Sequence, residues 1–276
     1  MKLSNGVEIP SPGFGTYKIP DGAVCTDSVC EAVKAGYRHI DTAAVYANER
    51  SVGEGIRQCG VPRSELFVTS KVWNTERGYD KTLRAFDKTL SDLGLEYLDL
   101  YLIHWPANAM QFGDGADALN LDTWKALERL YSEKLVRSIG LSNFYTAHMT
   151  PLLASANVCP HVDQIEYHPG LLQQETVELC RSHDILVEAW SPLGRGHLLA
   201  DEVLARIGER HSKTPAQLLL RWCVQNGVLP LVKSVHTERI LENFSIFDFI
   251  LSDEEMAEMA AMPDYRYGSH PDTAAF

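Results

Sequence analysis

No window of about 18 apolar residues, the length a membrane-spanning helix needs, occurs anywhere in the chain. The opening residues Met1–Pro10 carry no apolar stretch of the kind that marks a secretory signal. Cysteine is sparse, with six in 276 residues (Cys25, Cys30, Cys59, Cys159, Cys180, Cys223), no CxxC pair and no zinc-type histidine spacing. That excludes a disulfide scaffold and reads as reduced thiols. Basic residues are also outnumbered, 25 against 37 acidic ones, for a formal charge of −12. So weak a positive footprint argues against nucleic acid or an anionic membrane as partner. These absences predict a cytoplasmic protein, expected to be a monomer, whose ligands are small.

What is present is ordinary for a globular chain, with 45% hydrophobic and 22% charged residues. Disorder is thereby excluded as the dominant state. The length permits one large domain or two small ones, and single α/β barrels commonly use about 250 residues. No linker, internal repeat or low-complexity stretch interrupts the sequence, so one domain over residues 1–276 is expected. The loosest segments are Ala107–Leu121 and the tail Pro263–Phe276.

Short apolar runs alternate with longer amphipathic ones. Eight strands are expected, at Tyr37–Ile40, Leu66–Ser70, Leu98–Ile103, Val136–Leu141, Val162–Ile165, Ile185–Ala189, Val228–Val232 and Ile246–Phe249. Continuous apolar runs suit a parallel sheet buried on both faces. Leu83, Phe86, Leu90 and Leu93 share one helix face, and Trp124, Leu127, Leu130 and Leu135 suggest another. Leu218–Cys223 lies in a third, preceded by Thr214-Pro215 as N-cap and first helical residue. Ser252 to Glu255 reads as a capping box opening a helix over Asp253–Met262. Ser4-Asn5-Gly6 between Leu3 and Val7–Ile9 signals a hairpin within Leu3–Gly15. The alternation predicts a (β/α)8 TIM barrel with an N-terminal β-hairpin. A doubly wound sheet is the runner-up, but its GxGxxG fingerprint is only half matched, at Gly13-Phe-Gly15 and Gly53-Glu-Gly55.

Polar residues fall where the apolar runs end: Asp41, Lys71, His104, Ser142-Asn143, Gln164 with Glu166, Trp190-Ser191 and Lys233-Ser234. In a barrel these positions converge on the C-terminal rim, where such folds keep their active sites. Singly, each has a plain alternative: Asp41-Thr42 a helix cap, Lys71 a surface charge, His104 a core histidine. A metal site is not expected, because His39 and Asp41 share a face but lack ligand partners at later strand ends. A Schiff-base lysine needs a neutral amine, and Asp41 beside it would keep Lys71 charged. A charged Lys71 suits another task, lowering the pKa of a nearby phenol, and Tyr46 is the candidate.

These residues also carry a resemblance. Gly36 through Ala43 with Tyr46 and Asn48-Glu49, Ser70-Lys71-Val72-Trp73-Asn74, Asp99 through Pro106, Ile139 through Phe144, and Lys233-Ser234 together resemble the aldo-keto reductase family. The likeness runs from about residue 3 to 271, in order. Trp190 through Gly194 and the closing Tyr265 through Asp272 resemble its 2,5-diketo-D-gluconate reductase and prostaglandin F synthase branch.

The resemblance implies NADPH-dependent reduction of aldehydes or ketones by a tetrad of Asp41, Tyr46, Lys71 and His104. Tyr46 would give the proton, Lys71, paired with Asp41, would lower its pKa, and His104 would orient the carbonyl and relay the proton. Ser142, Asn143 and Gln164 would bond the nicotinamide carboxamide and Trp190 would stack on its ring. Ser191, Leu193 and Gly194 would follow the pyrophosphate. Lys233, Ser234 and Arg239 would hold the 2′-phosphate, with Glu242 and Asn243 near the adenine. Tyr17, Trp73 and Trp105 would wall the pocket, for Tyr17 with core packing as the alternative, and residues 107–121 and the tail would cover it. The substrate would be a diketo sugar acid, a 2-oxoaldehyde or another small carbonyl. A non-catalytic NADPH-binding barrel, acting as sensor or partner subunit, is the rival reading. Two positions depart from the family pattern near the cofactor: Asp163 where asparagine is usual, and Val232 where proline is common.

Overall fold

The first barrel strand is only three residues long and two of them are glycine. In the computed structural model, which describes residues 1–276, the strands are β1 Gly13–Gly15, β2 His39–Asp41, β3 Phe67–Val72, β4 Leu98–Ile103, β5 Val136–Ser142, β6 Val162–Glu166, β7 Leu186–Trp190 and β8 Leu229–Val232. Every neighbour pair is parallel, and β8 pairs with β1 to close an eight-stranded barrel. Around it run α1 Ala23–Ala35, α2 Glu49–Gln58, α3 Tyr79–Leu93, α4 Ala109–Phe112, α5 Ala116–Ser132, α6 Thr146–Leu153, α7 Gln174–Ser182, α8 Glu202–His211, α9 Pro215–Gln225, α10 Thr237–Phe244 and α11 Asp253–Ala260. No helix is long and apolar enough to cross a membrane.

Seven of the expected strands form, and the eighth is misplaced. The Ile246–Phe249 run is not a strand: the Ser245 carbonyl accepts from Gln217 Nε2 at 2.9 Å and that of Ile246 from Arg221 Nη1 at 3.3 Å. A closed barrel leaves no edge for it to join. Its place is taken by Gly13–Gly15, where a single Phe14 between two glycines gives too little β-propensity to announce a strand. Glycine is required there by packing, since a Cβ on Gly13 would come within 2.4 Å of Leu231 and 2.7 Å of His39.

The hairpin is present as a single antiparallel bridge, Lys2 to Glu8. It delivers Leu3 and Ile9 into a small cluster with Phe67, Leu100, Leu102 and Leu229, which seals one end of the barrel. Helix signals hold closely. Thr214 with Gln217 and Ser252 with Glu255 both form reciprocal capping boxes, though α11 stops two residues short of Met262. Leu135 lies beyond α5 and is turned back by its N–H to the Leu130 carbonyl at 3.0 Å. Residues 107–121, expected as a loose loop, hold α4 and the first residues of α5.

Strand parity decides what enters the barrel. Side chains two apart share a face, so His39 and Asp41, Phe67, Thr69 and Lys71, Val162, Gln164 and Glu166, and Leu186, Glu188 and Trp190 all point inward. The interior is thus apolar at one end and polar toward the C-terminal ends of the strands.

Candidate active site

At that polar end Lys71 is fully buried. Its ammonium donates to Asp41 Oδ1 at 2.7 Å, Asp41 Oδ2 at 2.8 Å, the Thr42 carbonyl at 3.0 Å and the Tyr46 hydroxyl at 3.3 Å. Burial pulls the lysine pKa down, but the Asp41 carboxylate and Tyr46 outweigh it, leaving the pKa above the ordinary lysine value. The ammonium therefore stays charged, as a Schiff-base role forbids. Burial pushes the Tyr46 phenol up to about 12 against the pull of Lys71, with Asp41 adding to the rise. Lys71 thus acts in the expected direction without bringing the phenol below its ordinary range.

His104 is buried, and its pKa lies well below the usual value through burial and the Lys71 charge. Its imidazole is neutral. It meets Tyr46 edge to face at 5.7 Å between ring centroids and Trp73 at 5.1 Å, and no hydrogen bond joins it to Tyr46. A neutral imidazole offers one N–H to a ligand oxygen. The four residues thus bring a phenol, a fixed ammonium and an imidazole to one point.

That point is the floor of a cavity of about 1100 Å³, lined by Asp41, Tyr46, His104, Ser142, Asn143, Gln164, Trp190 and the Lys233–Asn243 region. Gln164 Nε2 donates to Asp41 Oδ2 at 3.0 Å and to Glu188 Oε2 at 2.9 Å. Ser142 Oγ donates to the Gln164 carbonyl at 2.8 Å. Asn143, in the left-handed region at φ 63°, donates to the His104 carbonyl at 2.9 Å and to Ser142 Oγ at 3.0 Å, and accepts from Trp190 Nε1 at 2.8 Å. Trp190 is fixed from behind as well. A Cβ on Gly268 would come within 2.2 Å of its ring, so the tail backbone lies directly against it. Glu166, buried, holds that tail by accepting from the Tyr267 and Gly268 amides at 2.8 and 3.0 Å.

Away from the floor the chain turns sharply. Ser191, Gly194, Arg195 and Gly196 all have positive φ, and a Cβ on Gly194 would strike Leu198 and Tyr267 within 2.9 Å. Leu193 lines the same stretch. Beyond it Lys233 and Arg239 are exposed, and neither makes an ion pair with the protein. Ser234 Oγ accepts from the His236 amide at 3.1 Å, Asn243 is buried, and Glu242 accepts from Thr214 Oγ1 at 2.8 Å. The cavity is therefore a trench with free cations at one end and the Lys71 group at the other, dimensions and charges that fit a phosphorylated dinucleotide.

Tyr17 is 51% exposed, so core packing does not hold it, and its ring lies 5.0 Å from that of Tyr46. Trp73 and Trp105 line the same cavity. Phe276 joins them, stacked on Trp73 at 5.7 Å and edge-on to Trp105 at 5.1 Å. No residue of 107–121 lines the cavity. Asn108 instead pins the tail, donating to the Pro271 and Ala274 carbonyls at 2.8 and 2.9 Å.

Comparison with known proteins decides the family: residues 13–263 match the Aldo/keto reductase family. This chain belongs to the aldo/keto reductase family. It is 50% identical over 277 residues to a glyoxal reductase of Bacillus subtilis, covering 100% of this chain and 97% of that protein. It is 49% identical to a 9,11-endoperoxide prostaglandin H2 reductase of Trypanosoma cruzi, covering 99% and 94%. Among solved structures, a Gox0644 mutant in complex with NADPH superposes with a TM-score of 0.91 at 40% identity, covering 100% and 98% of the two chains. The Bombyx mori aldo-keto reductase in complex with NADP gives 0.90 at 35%, covering 99% and 95%. As a member of this family, the protein is an oxidoreductase.

Sequence reasoning missed several cavity residues of this aldo/keto reductase. Phe276 stands four residues past the Tyr265–Asp272 stretch, in the tail expected to cover the pocket, with no motif of its own to single it out. Arg195, also without an ion-pair partner, sits in the left-handed turn. Glu188, buried behind Gln164 and not part of the cavity lining, had a readable signal, a lone carboxylate inside an apolar run, at the same parity as Trp190.

Asp163, the departure beside Gln164, points to the opposite face of β6 and away from the cavity. It is fully buried and neither carboxylate oxygen has a hydrogen-bond partner. Burial pushes its pKa well above the ordinary carboxyl range, and Glu188 adds to the rise. A carboxyl that binds its proton more tightly when folded costs stability increasingly as pH rises above its unfolded pKa of about 3.9. Asp163→Asn is therefore expected to stabilise the protein by about 1–3 kcal/mol at neutral pH, the gain shrinking toward pH 4. Urea melts at several pH values check this, and a gain independent of pH would contradict it. Val232 pairs with Phe14 in the barrel closure, its side chain buried.

Proposed function

We propose that this protein reduces small aldehydes and ketones to alcohols with NADPH, with 2-oxoaldehydes of the glyoxal type as the first substrates to test. The observation that carries the reading is the Asp41–Lys71–Tyr46 chain beside neutral His104 on the floor of an aromatic-walled cavity. NADPH, when bound, supplies the hydride. The chain's own residues do the rest. The Tyr46 hydroxyl donates its proton to the carbonyl oxygen, while His104 offers an N–H to the same oxygen and orients it. Lys71, held by Asp41, places a fixed positive charge next to the phenol oxygen as it gives up its proton. Trp190 gives the nicotinamide a ring to stack on, and Ser142, Asn143 and Gln164 meet its carboxamide. Ser191, Leu193 and Gly194 follow the pyrophosphate, where the glycine lets backbone approach closely. Lys233, Ser234 and Arg239 hold the 2′-phosphate, with Glu242 and Asn243 beside the adenine.

The substrate reading draws on the relatives, one a glyoxal reductase and one a prostaglandin reductase, and on Tyr17, Trp73, Trp105 and Phe276, which suit an apolar or flat carbonyl compound. The experiment is a panel of methylglyoxal, diketogluconate, aromatic aldehydes and steroid-like ketones, each assayed by NADPH and NADH consumption. Turnover of at least one class with NADPH favoured is the expected result. Tight NADPH binding with no turnover of any would instead support a non-catalytic sensor or partner subunit.

A further inference from the structure

The hydrogens of the three polar residues at the inner end of the trench are already committed within the protein. Both Asn143 Nδ2 hydrogens go to the His104 carbonyl and Ser142 Oγ, and the Ser142 hydroxyl hydrogen goes to the Gln164 carbonyl. Gln164 Nε2 is taken by two carboxyl groups, Asp41 and Glu188. An amide between two acceptors has one favourable orientation, NH2 toward them, which leaves its oxygen facing the other way. Glu188 has no place in the tetrad, yet it is fully buried in the barrel and one of its oxygens, Oε1, has no hydrogen-bond partner.

We propose that Glu188 is a positioning residue for cofactor recognition: with Asp41 it locks the Gln164 amide so that Oε1 faces the cavity as an acceptor for the nicotinamide carboxamide. The proposal rests on the reading of Gln164 as a carboxamide contact. Without Glu188, one hydrogen of Gln164 Nε2 loses its partner and the amide is free to turn. Asp41 alone cannot replace it, because it takes one hydrogen of the planar amide and the other is directed to Glu188 Oε2.

The charge of Glu188 gives the test a second reading. The groups around it are Gln164 on β6 with Asp163 on that strand's other face, Asp41 and His39 on β2 and Lys71 on β3, while its β8 neighbours Leu229 and Pro230 bring no charge. His39 lies 3.9 Å from Glu188 Oε1, and its pKa is lowered to about 3 by burial and Lys71, so it is neutral. Burial and the Asp41 carboxylate push Glu188 up to about 8, against Gln164 and Lys71. Above that pH Glu188 adds a second carboxylate around the Gln164 amide, beside Asp41 and its Lys71 partner. The extra negative charge favours the cationic nicotinamide of NADP+ over the neutral one of NADPH.

The experiment measures equilibrium dissociation constants of NADPH and NADP+ by tryptophan fluorescence from about pH 6 to about 9. It compares the wild type with Glu188→Ala, Glu188→Gln and Gln164→Ala. Glu188→Ala is expected to weaken NADPH binding about tenfold, a lost hydrogen bond to a fixed amide. Glu188→Gln, which keeps an acceptor for Gln164, is expected to restore affinity to within about threefold. In the wild type the ratio of the NADP+ to the NADPH constant should fall as pH passes about 8, and in Glu188→Gln it should stay flat. The ratio cancels the adenosine half common to both ligands, and a purely structural role would not move it. Normal binding by Glu188→Ala beside weakened binding by Gln164→Ala overturns the role of Glu188 alone. So does a Glu188→Gln ratio that follows the wild type, a reading available even if the alanine variant fails to fold. Normal binding by Gln164→Ala overturns the underlying contact and the proposal with it.

Discussion

Tyr46→Phe is expected to lower the rate of carbonyl reduction by about 10²–10⁴-fold, the usual contribution of a positioned general acid. The substitution removes one hydroxyl and its 3.3 Å contact with Lys71 while keeping the ring that packs on Tyr17 and His104. NADPH affinity and thermal stability should therefore change little, which separates a lost proton donor from a damaged pocket. Single-turnover NADPH oxidation at saturating aldehyde is the measurement, and retention of more than about a tenth of the rate would sink the assignment. The pH dependence sharpens it. Burial raises the phenol to about 12 and outweighs Lys71, so the acid form required for reduction is fully populated at neutral pH. Raising the pH to 9 should cost no rate through Tyr46.

The barrel was legible because parallel strands buried on both faces are apolar runs, and seven of them stand out against polar residues at their ends. The strand that escaped, Gly13–Gly15, is chosen by close packing against Leu231 and His39, and packing of that kind leaves no periodic trace. Ile246–Phe249 misled for the converse reason, since an apolar run reports burial and not pairing. At the site, every tetrad and cofactor position named from the motifs lies at the cavity or directly against it, because strand ends converge in any closed barrel. What stayed illegible depends on long-range contacts. Phe276 reaches Trp73 only through a tail pinned by Asn108 and Glu166, and the clamp on Gln164 needs three strands at once. The net effect on Tyr46 was invisible for the same reason: residue types give the sign of Lys71's influence but not how deeply the hydroxyl is buried.

Lys71→Met should abolish reduction and also destabilise the fold, by about 3–5 kcal/mol, because removing one partner strands a buried charge. Asp41 is 3% exposed and would keep only the Gln164 amide as a hydrogen-bond donor from a side chain. Its carboxyl would then bind a proton more tightly folded than unfolded. The stability deficit against wild type should accordingly be largest near neutral pH and shrink as pH falls toward about 4, the unfolded carboxyl pKa. The double variant Asp41→Asn with Lys71→Met removes the stranded charge, leaves an amide of nearly the same shape beside Gln164, and should recover most of the lost stability. It should recover none of the activity. Denaturant melts and NADPH-consumption assays on the wild type and the two variants test both halves. If the double variant regained activity together with stability, the ammonium would be holding the fold and not assisting Tyr46. Recovery of stability alone means that the pair is kept at the barrel's polar end for the charge it places beside the phenol, since a neutral pair of similar volume would serve the fold nearly as well.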